Sequence, residues 1–400
     1  MNRGIGITDD IFWVGENDYE TALFENIWPL PRGVSYNAYL IRDEKTVLVD
    51  AVKRGYVTDM VSKVKPLMGE GRQLDYLVIN HMEPDHSGAI TTLRNIFPRM
   101  TILGNKKTLE FLGEFYGITE GTREVADGEQ LETGRHKLSF HLTPMVHWPE
   151  TMMTFDETDG VLFSGDAFGG FGVLPGGIFD DEVDLDFFEE ETLRYFTNIV
   201  GKFSKMVQKA IAKLDGVPVK IICPTHGPVW RSDPQRIIQT YSRWAAQETE
   251  PGVVIVYASM YGNTGTMIES VSRGLAEVGM DKVRIHNLSR THVSFILNDI
   301  WRYNTFLFGT PTYNTKCFPL MDNFLRLLRN ISLQDRSIGL VGTYGWSGGG
   351  VKELQAYVED AKHTLVEPVL EARCSPTPGD LENCRELGRR LAAAAQGSGN

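Results

Sequence analysis

Six consecutive residues of this chain place two imidazoles and two carboxylates close together. His81, Glu83, Asp85 and His86 follow the apolar run at 76–80, and a run of that length predicts a buried strand. The four side chains are therefore expected where the strand opens into a loop. They are too many for one closed tetrahedral zinc site with further ligands to come, so two metal ions explain them better. The alternative is a polar loop with two solvated acids and a helix-capping histidine.

Three further donors lie at predicted strand ends downstream, namely His147, Asp166 and His226. A single histidine in such a place is more often structural than a metal ligand. Three strand-end donors after a six-residue donor cluster favour a metal centre over seven unrelated polar residues. The other five histidines, at 136, 141, 286, 292 and 363, occur in no comparable context. They are expected to be ordinary surface or core residues.

Length and composition limit the class of protein. A chain of 400 residues is long enough for two domains. A formal net charge of -12 argues against nucleic-acid binding, which needs a basic face. No apolar run approaches the roughly 18 residues of a membrane-spanning helix, and residues 1–10 lack the apolar core of a signal peptide. We therefore expect a cytoplasmic protein with no membrane association.

The four cysteines, at 223, 317, 374 and 384, form no Cys-x-x-Cys pair. This spacing excludes a rubredoxin-like or zinc-ribbon module from the chain. Isolated cysteines are most often plain core residues. Any redox chemistry is therefore expected to use another group.

The elements that must position these residues divide the chain at about residue 250. Residues 1–250 are strand-rich, with strands predicted at 11–14, 38–41, 46–49, 76–79, 138–142 and 161–164 and helices at 56–68, 193–214 and 234–247. The polar segment 247–252 ends in Pro-Gly and is the predicted linker.

Residues 251–400 alternate regularly between strand and helix. Strands are predicted at 253–258, 283–285, 306–308, 338–341 and 366–370, and helices at 266–278, 317–329, 351–363 and 380–394. This alternation predicts an α/β domain with a doubly wound parallel sheet. Residues 391–400 are expected to be a fraying helix end and tail.

Three loops of the second domain are predicted to bind a cofactor. The first follows the first strand and precedes a helix, a place that binds phosphate; the others follow the third and fourth strands, at the same carboxyl edge of the sheet. Their candidate binding residues are Ser259, Met260, Tyr261, Gly262, Asn263 and Thr264; Thr310, Pro311, Thr312, Tyr313 and Asn314; and Thr343, Tyr344, Gly345, Trp346, Ser347, Gly348 and Gly349. Glycines permit close backbone approach, and Tyr313, Tyr344 or Trp346 offers aromatic surface for a ring.

The donor order His-x-Glu-x-Asp-His, followed by His, Asp and His, resembles the metallo-β-lactamase superfamily, with Glu83 in place of the usual second histidine. With a flavodoxin-like half attached, the whole chain resembles the flavodiiron proteins, a family of oxygen and nitric oxide reductases. The resemblance implies an N-terminal metallo-β-lactamase-like αββα sandwich, a flavodoxin-like domain that holds FMN, and two iron ions. It assigns His81, Glu83 and His147 to one iron, Asp85, His86 and His226 to the other, and Asp166 as the bridge.

The resemblance also implies partners and nearby residues. It suggests dioxygen and/or nitric oxide as substrates, rubredoxin or a similar protein as a separate electron donor, and a head-to-tail homodimer or a dimer of dimers. Tyr195 matches a tyrosine near the metals of relatives, although an ordinary packed tyrosine is an equal alternative. Phe24, Glu25 and Asn26 fall where many relatives carry a pocket histidine. Residues 168–177 form either a wall of the gas pocket or an irregular surface turn.

Two other functions remain open at this point. The first is a dinuclear zinc hydrolase with an accessory flavodoxin domain, in which metal-bound hydroxide is the nucleophile. The second is a non-enzymatic electron carrier whose metal site is vestigial. Carboxylate-rich imidazole sites suit iron or manganese better than the sulfur-containing sites that zinc favours, but ligand softness alone does not exclude zinc.

Overall fold

A computed structural model describes residues 4–397 of the chain. The chain divides into two compact units, and the boundary between them falls between Ala246 and Gln247. The sequence predicted this boundary between residues 250 and 251. Residues 1–3, within the segment expected to lack a signal peptide's apolar core, and residues 398–400, within the predicted tail, lie outside the described residues. None of the helices within 4–397 is both long enough and apolar enough to cross a membrane.

The first unit contains sixteen short strands and seven α-helices within its described residues. The strands are β1 (Ile5–Gly6), β2 (Ile11–Trp13), β3 (Glu16–Asp18), β4 (Leu23–Phe24), β5 (Trp28–Pro29), β6 (Val34–Tyr36), β7 (Tyr39–Ile41), β8 (Val47–Val49), β9 (Tyr76–Val78), β10 (Thr101–Gly104), β11 (Thr122–Glu124), β12 (Gln130–Glu132), β13 (Lys137–Leu142), β14 (Met152–Asp156), β15 (Val161–Gly165) and β16 (Ile221–Pro224). The helices are α1 (Val57–Met68), α2 (Pro84–Ser87), α3 (Ile90–Ile96), α4 (Lys106–Tyr116), α5 (Leu185–Tyr195), α6 (Ser204–Lys213) and α7 (Pro234–Ala245).

Two sheets enclose the core of the first unit. Seven strands pair in the order β1-β2-β7-β8-β9-β10-β11, and five pair in the order β12-β13-β14-β15-β16. Val49 and Val78 of the first sheet share one hydrophobic cluster with Phe140 and Phe163 of the second. β9 lies between parallel β8 and β10, which explains its apolar sequence, because such strands are buried on both faces. The predicted lactamase-like sandwich is confirmed.

The helix predicted at 193–214 is wrong in both its start and its regularity. α5 begins at Leu185, where the side chain of Asp184 accepts a hydrogen bond from the backbone N–H of Phe187 at 3.3 Å. A π-helical turn, Phe196–Val200, and a 3₁₀ turn, Gly201–Phe203, separate α5 from α6. A π turn changes the helical repeat and so disturbs the apolar periodicity by which a helix is recognised.

The second unit is a parallel sheet with helices between its strands. Its strands are β17 (Glu250–Tyr257), β18 (Val283–Asn287), β19 (Tyr303–Tyr313), β20 (Lys316–Cys317), β21 (Ser337–Tyr344) and β22 (Thr364–Arg373). Its helices are α8 (Asn263–Glu277), α9 (Val293–Arg302), α10 (Pro319–Ile331), α11 (Gly350–Asp360) and α12 (Pro378–Gly397). The order β18-β17-β19-β21-β22 is that of a flavodoxin-like doubly wound sheet, which confirms the predicted fold class.

Several details of this unit differ from the prediction. The expected Pro-Gly linker end belongs to β17, where the pairing with β19 is irregular between Glu250 and Val253. Helix α9 was not predicted. The expected fraying end is instead packed helix, because Leu391 and Ala395 are fully buried in the core. Residues 310–313, expected in a loop, continue strand β19 and turn back to pair with β20.

Candidate functional site

The seven predicted metal ligands converge at one edge of the first unit. Glu83 caps the short helix α2, which directly follows the loop after β9 and carries Asp85 and His86. His147 lies between β13 and β14, Asp166 follows β15, and His226 lies two residues beyond β16. Strand ends of both sheets therefore supply the side chains, and the structure brings all seven together in two groups.

The first group consists of His81, Glu83, His147 and one oxygen of Asp166. The Nε2 atoms of His81 and His147 are 3.3 Å apart. The Oε2 atom of Glu83 lies 3.1 Å from Nε2 of His147 and 3.4 Å from Nε2 of His81. Oδ2 of Asp166 lies 2.9 Å and 3.4 Å from the same two nitrogens. Four donor atoms thus face one small volume.

The second group consists of Asp85, His86, His226 and the other oxygen of Asp166. Oδ1 of Asp85 lies 3.4 Å from Nε2 of His86, and Oδ2 lies 3.3 Å from Nε2 of His226. Oδ1 of Asp166 lies 3.1 Å from Nε2 of His86 and 3.9 Å from Nε2 of His226. Asp166 therefore presents one carboxylate oxygen to each group, as a bridging ligand would.

Unpartnered polar atoms test whether these residues fit two metal ions. Oε2 of Glu83, both carboxylate oxygens of Asp85, and Nε2 of His86 and of His226 are buried without a hydrogen-bond partner among the described residues. Such atoms are costly unless an unseen water or ion satisfies them. Together the groups provide imidazole nitrogens and carboxylate oxygens and no sulfur, a donor set that suits iron or manganese. The residues fit a dinuclear centre.

Electrostatics holds the metal-free centre in a protonated state. Burial lowers the pKa of His86, but the charges of Asp85 and Asp166 outweigh burial and raise it to about 9. Burial likewise lowers the pKa of His147, whereas hydrogen bonds to Asp166 and Glu83 raise it to about 9. Burial raises the pKa of Glu83, yet His147 and His81 keep it well below its usual range. A metal ion must therefore displace protons from these imidazoles.

Tyr195 lies beside the second group, as predicted from the resemblance. It ends α5 immediately before the π turn, and its ring centroid is 5.4 Å from that of His226. The side chain is fully buried, and its hydroxyl has no hydrogen-bond partner within residues 4–397. Burial, the charges of Asp166, Glu83 and Asp85, and the closeness of the hydroxyl to the Asp166 carboxylate raise its pKa well above the usual range. Its hydroxyl therefore remains protonated and available to donate a hydrogen bond.

Aromatic side chains cover this side of the centre. Phe24, at the position where relatives were expected to carry a histidine, packs edge-on against His226 at 5.3 Å. Phe171, from the predicted loop 168–177, lies 5.4 Å from Phe24 and 5.0 Å from Tyr195, again between ring centroids. Both phenylalanines are buried. This loop therefore packs beside the metal ligands and is not merely an exposed turn.

Sequence reasoning missed a third cluster, formed by His136, Asp156 and Asp159. Nδ1 of His136 lies 3.2 Å from Oδ1 of Asp156, and Arg135 donates two hydrogen bonds to Asp159, at 2.6 and 3.2 Å. The cluster is an ion-pair network, because a guanidinium already neutralises one of the carboxylates. It indicates no further metal site.

The second unit contains an open cavity of about 370 Å³ at the carboxyl edge of its sheet. Thirteen of the predicted cofactor-binding residues line it, namely Ser259, Met260, Tyr261, Asn263, Thr264, Pro311, Thr312, Tyr313, Asn314, Thr343, Tyr344, Gly345 and Trp346. Gly262, Thr310, Ser347, Gly348 and Gly349 are adjacent in sequence but are not among the lining residues. Cys374 also lines the cavity and was not predicted, although its place after the fifth parallel strand was a usable signal.

Local structure shapes the cavity for a phosphate and a ring. The backbone N–H of Gly262 donates to Oγ of Ser259 at 3.1 Å, and Gly262, with φ of 95°, caps α8. A helix N-terminus with a glycine at positive φ favours an anion. Oγ1 of Thr264 and of Thr343 are 2.9 Å apart and join the first and third loops. Trp346 is 85% exposed, so a large aromatic face is available to a ligand.

Fold and site together define a two-domain flavoprotein with a dinuclear histidine and carboxylate metal centre. Residues 34–227 match the ODP family beta lactamase and residues 255–388 match the Flavodoxin family. The nitric oxide reductase of Moorella thermoacetica is 34% identical over 98% of this chain and 99% of its own length. An anaerobic nitric oxide reductase flavorubredoxin of Escherichia coli is 35% identical, over 97% of this chain and 82% of its own length.

Solved structures show the same similarity over the whole chain. The rubredoxin oxygen:oxidoreductase of the anaerobe Desulfovibrio gigas has a TM-score of 0.94 at 28% identity, covering 99% of each chain. The flavodiiron protein of Giardia intestinalis also has a TM-score of 0.94, at 26% identity, covering 99% of this chain and 98% of that one.

The chain belongs to the flavodiiron protein family. The predicted family, its oxidoreductase class, and FMN and a diiron site as cofactors are thereby confirmed.

Proposed function

We propose that this chain reduces nitric oxide to nitrous oxide, dioxygen to water, or both, using electrons from a separate donor. The observation that carries the proposal is the bridging position of Asp166, with one oxygen toward each ligand group. Relatives named nitric oxide reductase and a neighbour named rubredoxin oxygen:oxidoreductase support the two gases.

The electron count of the two cofactors fits both reactions. Reduction of dioxygen to two waters consumes four electrons and four protons, whereas coupling of two nitric oxide molecules to nitrous oxide and water consumes two of each. A diiron centre held by the seven ligand residues would supply two electrons, and FMN held in the cavity of the second unit would supply two more. The chain has no Cys-x-x-Cys pair, so rubredoxin or a similar separate protein is proposed as the donor.

Residues of the chain have proposed roles beside the metals. His81, Glu83 and His147 would hold one iron, and Asp85, His86 and His226 the other. The Tyr195 hydroxyl, which is buried and unpartnered within residues 4–397, would donate a hydrogen bond to the substrate. Phe24 and Phe171 would exclude water from the space beside His226. The thirteen cavity-lining residues of the second unit would bind FMN.

The assembly and location of the protein are also part of the proposal. Because electron transfer between cofactors falls off steeply with distance, a head-to-tail homodimer or dimer of dimers would place the FMN of one subunit near the irons of another. A cytoplasmic location would give access to a soluble donor. Sedimentation with parallel turnover assays tests the assembly, and a monomer with full activity would contradict it.

Gas consumption tests the proposed reaction directly. Anaerobically purified, iron-replete protein with excess reduced rubredoxin is expected to consume nitric oxide, dioxygen or both in an electrode cell. An Asp166→Ala variant should lose at least about a hundredfold of the rate, since it lacks the bridging ligand. Asp181→Ala, which removes an exposed carboxylate paired with Arg231, should keep the wild-type rate.

A negative result would point to the alternative hydrolase. If neither gas is consumed while the FMN still accepts electrons from rubredoxin, the proposal is wrong. Hydrolytic activity of the zinc-loaded protein would then be measured. Glu83 disfavours that outcome because it replaces the usual second histidine of the metallo-β-lactamase superfamily. The cavity of the second unit also disfavours it, because hydrolysis requires no electrons and therefore no flavin.

A further inference from the structure

The two ligand groups differ in what their histidines contact on the side away from the metals. Nδ1 of His81 lies 2.7 Å from Oε1 of Glu150, a carboxylate. Nδ1 of His226 lies 2.7 Å from the backbone carbonyl oxygen of Ser35. Nδ1 of His86 is buried and has no hydrogen-bond partner within residues 4–397. A carboxylate makes a histidine a more basic ligand than a carbonyl does, because it stabilises positive charge on the ring.

Glu150 is held firmly in its position. Its side chain is fully buried, and the same Oε1 atom accepts the backbone N–H of Met82 at 2.9 Å. The side-chain amide of Asn105 donates to the backbone carbonyl of Glu150 at 2.5 Å. The carboxylate is therefore preorganised to accept the Nδ1 proton of His81. That tautomer leaves Nε2, which faces His147 and Asp166, free to bind a metal.

The bridging carboxylate contributes a second asymmetry. The hydroxyl of Thr225 donates to Oδ1 of Asp166 at 2.5 Å. Oδ1 is the oxygen nearest His86, whereas Oδ2 is nearest His147. A hydrogen bond to a carboxylate oxygen withdraws electron density from it, so Oδ1 is expected to be a weaker metal ligand. Both asymmetries favour the same metal position.

We propose that the two metal positions bind iron unequally, and that Glu150 is the positioning residue responsible for most of the difference. The iron held by His81, Glu83 and His147 is bound more tightly than the iron held by Asp85, His86 and His226. This inference rests on the proposed function only in taking the two ligand groups as iron sites.

Iron release measures the inequality without measuring turnover. Anaerobic, reduced protein with two irons is mixed with an excess of a chromogenic iron(II) chelator. We expect two phases of equal amplitude. Glu150→Gln keeps the size of the side chain and an acceptor oxygen but removes the charge. It should accelerate the slow phase about 10- to 100-fold and leave the fast phase unchanged.

Two further variants provide the control and the assignment. Glu157→Gln removes the charge of an exposed glutamate that contacts Gln130 and Lys137, and it should change neither phase. His226→Ala should lose the fast phase and retain one slowly released iron. His147→Ala should show the opposite behaviour, with one rapidly released iron.

The outcomes separate this inference from the proposed function. A single release phase in the wild type, or equal acceleration of both phases in Glu150→Gln, would overturn the inference alone. If Glu150→Gln does not fold, the histidine variants decide: slow release from His147→Ala with fast release from His226→Ala would also overturn it. A protein that binds no iron would overturn the inference and the proposed function together.

Discussion

Trp346 offers the most direct test of the proposed FMN site. It lies on the rim of the cavity in the second unit, and 85% of its side chain is exposed. A surface tryptophan this exposed gains little from packing within its own domain. If it stacks on the flavin ring, truncation to alanine should weaken FMN binding while leaving the fold intact.

The size of the effect follows from the area that a stacked ring would cover. A tryptophan buries roughly 150–250 Å² when fully enclosed, so stacking on one face covers about 100 Å². At about 25 cal/mol per Å² this area is worth about 2.5 kcal/mol. A loss of about 2–3 kcal/mol in the free energy of FMN binding corresponds to roughly a 30- to 150-fold higher Kd for FMN.

The assay is titration of the FMN-free protein with FMN, followed by quenching of flavin fluorescence. Trp346→Ala should show the weakened binding, and Trp346→Phe should recover most of it because an aromatic face remains. Tyr19→Ala, which removes an aromatic side chain that is 65% exposed in the first unit, is the control and should bind as the wild type does. A change of less than about threefold in Trp346→Ala would refute stacking on this residue.

Three other predictions concern the metal centre and the packing of the second unit. At pH 7 the metal-free centre should release about three protons on binding its metals. His86 and His147, with a pKa of about 9 each, must lose them, and so must His81, whose pKa is lowered by burial but raised well above its usual range by Asp166 and Glu150. Titration calorimetry in buffers of different ionisation enthalpy measures this release. The same raised pKa values stabilise the metal-free fold below about pH 6.5, and this stabilisation is lost as the pH rises through about 9, so its Tm should fall over that range. Gly274→Ala should destabilise the second unit by about 2 kcal/mol or more in a urea titration, because a Cβ there would lie 2.0 Å from the carbonyl oxygen of Arg385.

Each of these predictions has a result that contradicts it. Release of fewer than one proton per centre would show that the imidazoles are already neutral before metal binds. A Tm of the metal-free protein that rises between pH 7 and pH 9 would have the wrong sign for histidines with raised pKa values. Gly113→Ala is the control for Gly274→Ala, because its Cβ would meet nothing closer than 3.6 Å. Equal stability changes in the two variants would exclude the steric explanation.

Local sequence was enough to predict the elements that carry the site and the loops that form it. Parallel strands buried on both faces have apolar sequences, and polar residues just after them lie at a common sheet edge. Strand β9, before His81, and strand β17, before the phosphate loop, follow this rule. Strand β15, before Asp166, is also apolar and buried, although it pairs antiparallel with β14 and parallel with β16. The assignment of Glu83 in place of a histidine was likewise visible in the sequence, because all its neighbours in the motif lie within six residues.

Other features depend on contacts between distant parts of the chain. The π turn after Tyr195 interrupts the helical periodicity, which explains the wrong helix bounds there. Helix α9 does have a helical pattern, since Ile296, Leu297, Ile300 and Trp301 form its buried face, so the sequence contained a usable signal for it. Cys374 was missed because it follows β22, and the loop after that strand was not among the three predicted to bind the cofactor. Lys316 and Cys317 pair with the end of β19. Because of this pairing, residues 310–313 are strand and not the expected loop.

The sequence by itself determined the ligand types, the two α/β architectures and the positions of the polar loops, because each depends on short-range patterns of burial and chain reversal. Only the tertiary structure decided that Asp166 turns one oxygen toward each ligand group and that Glu150, 69 residues along the chain, contacts His81. The physical reason is that these contacts depend on how two sheets pack against each other. That packing sets the distance between loops that are far apart in the sequence, and no local sequence pattern links such loops.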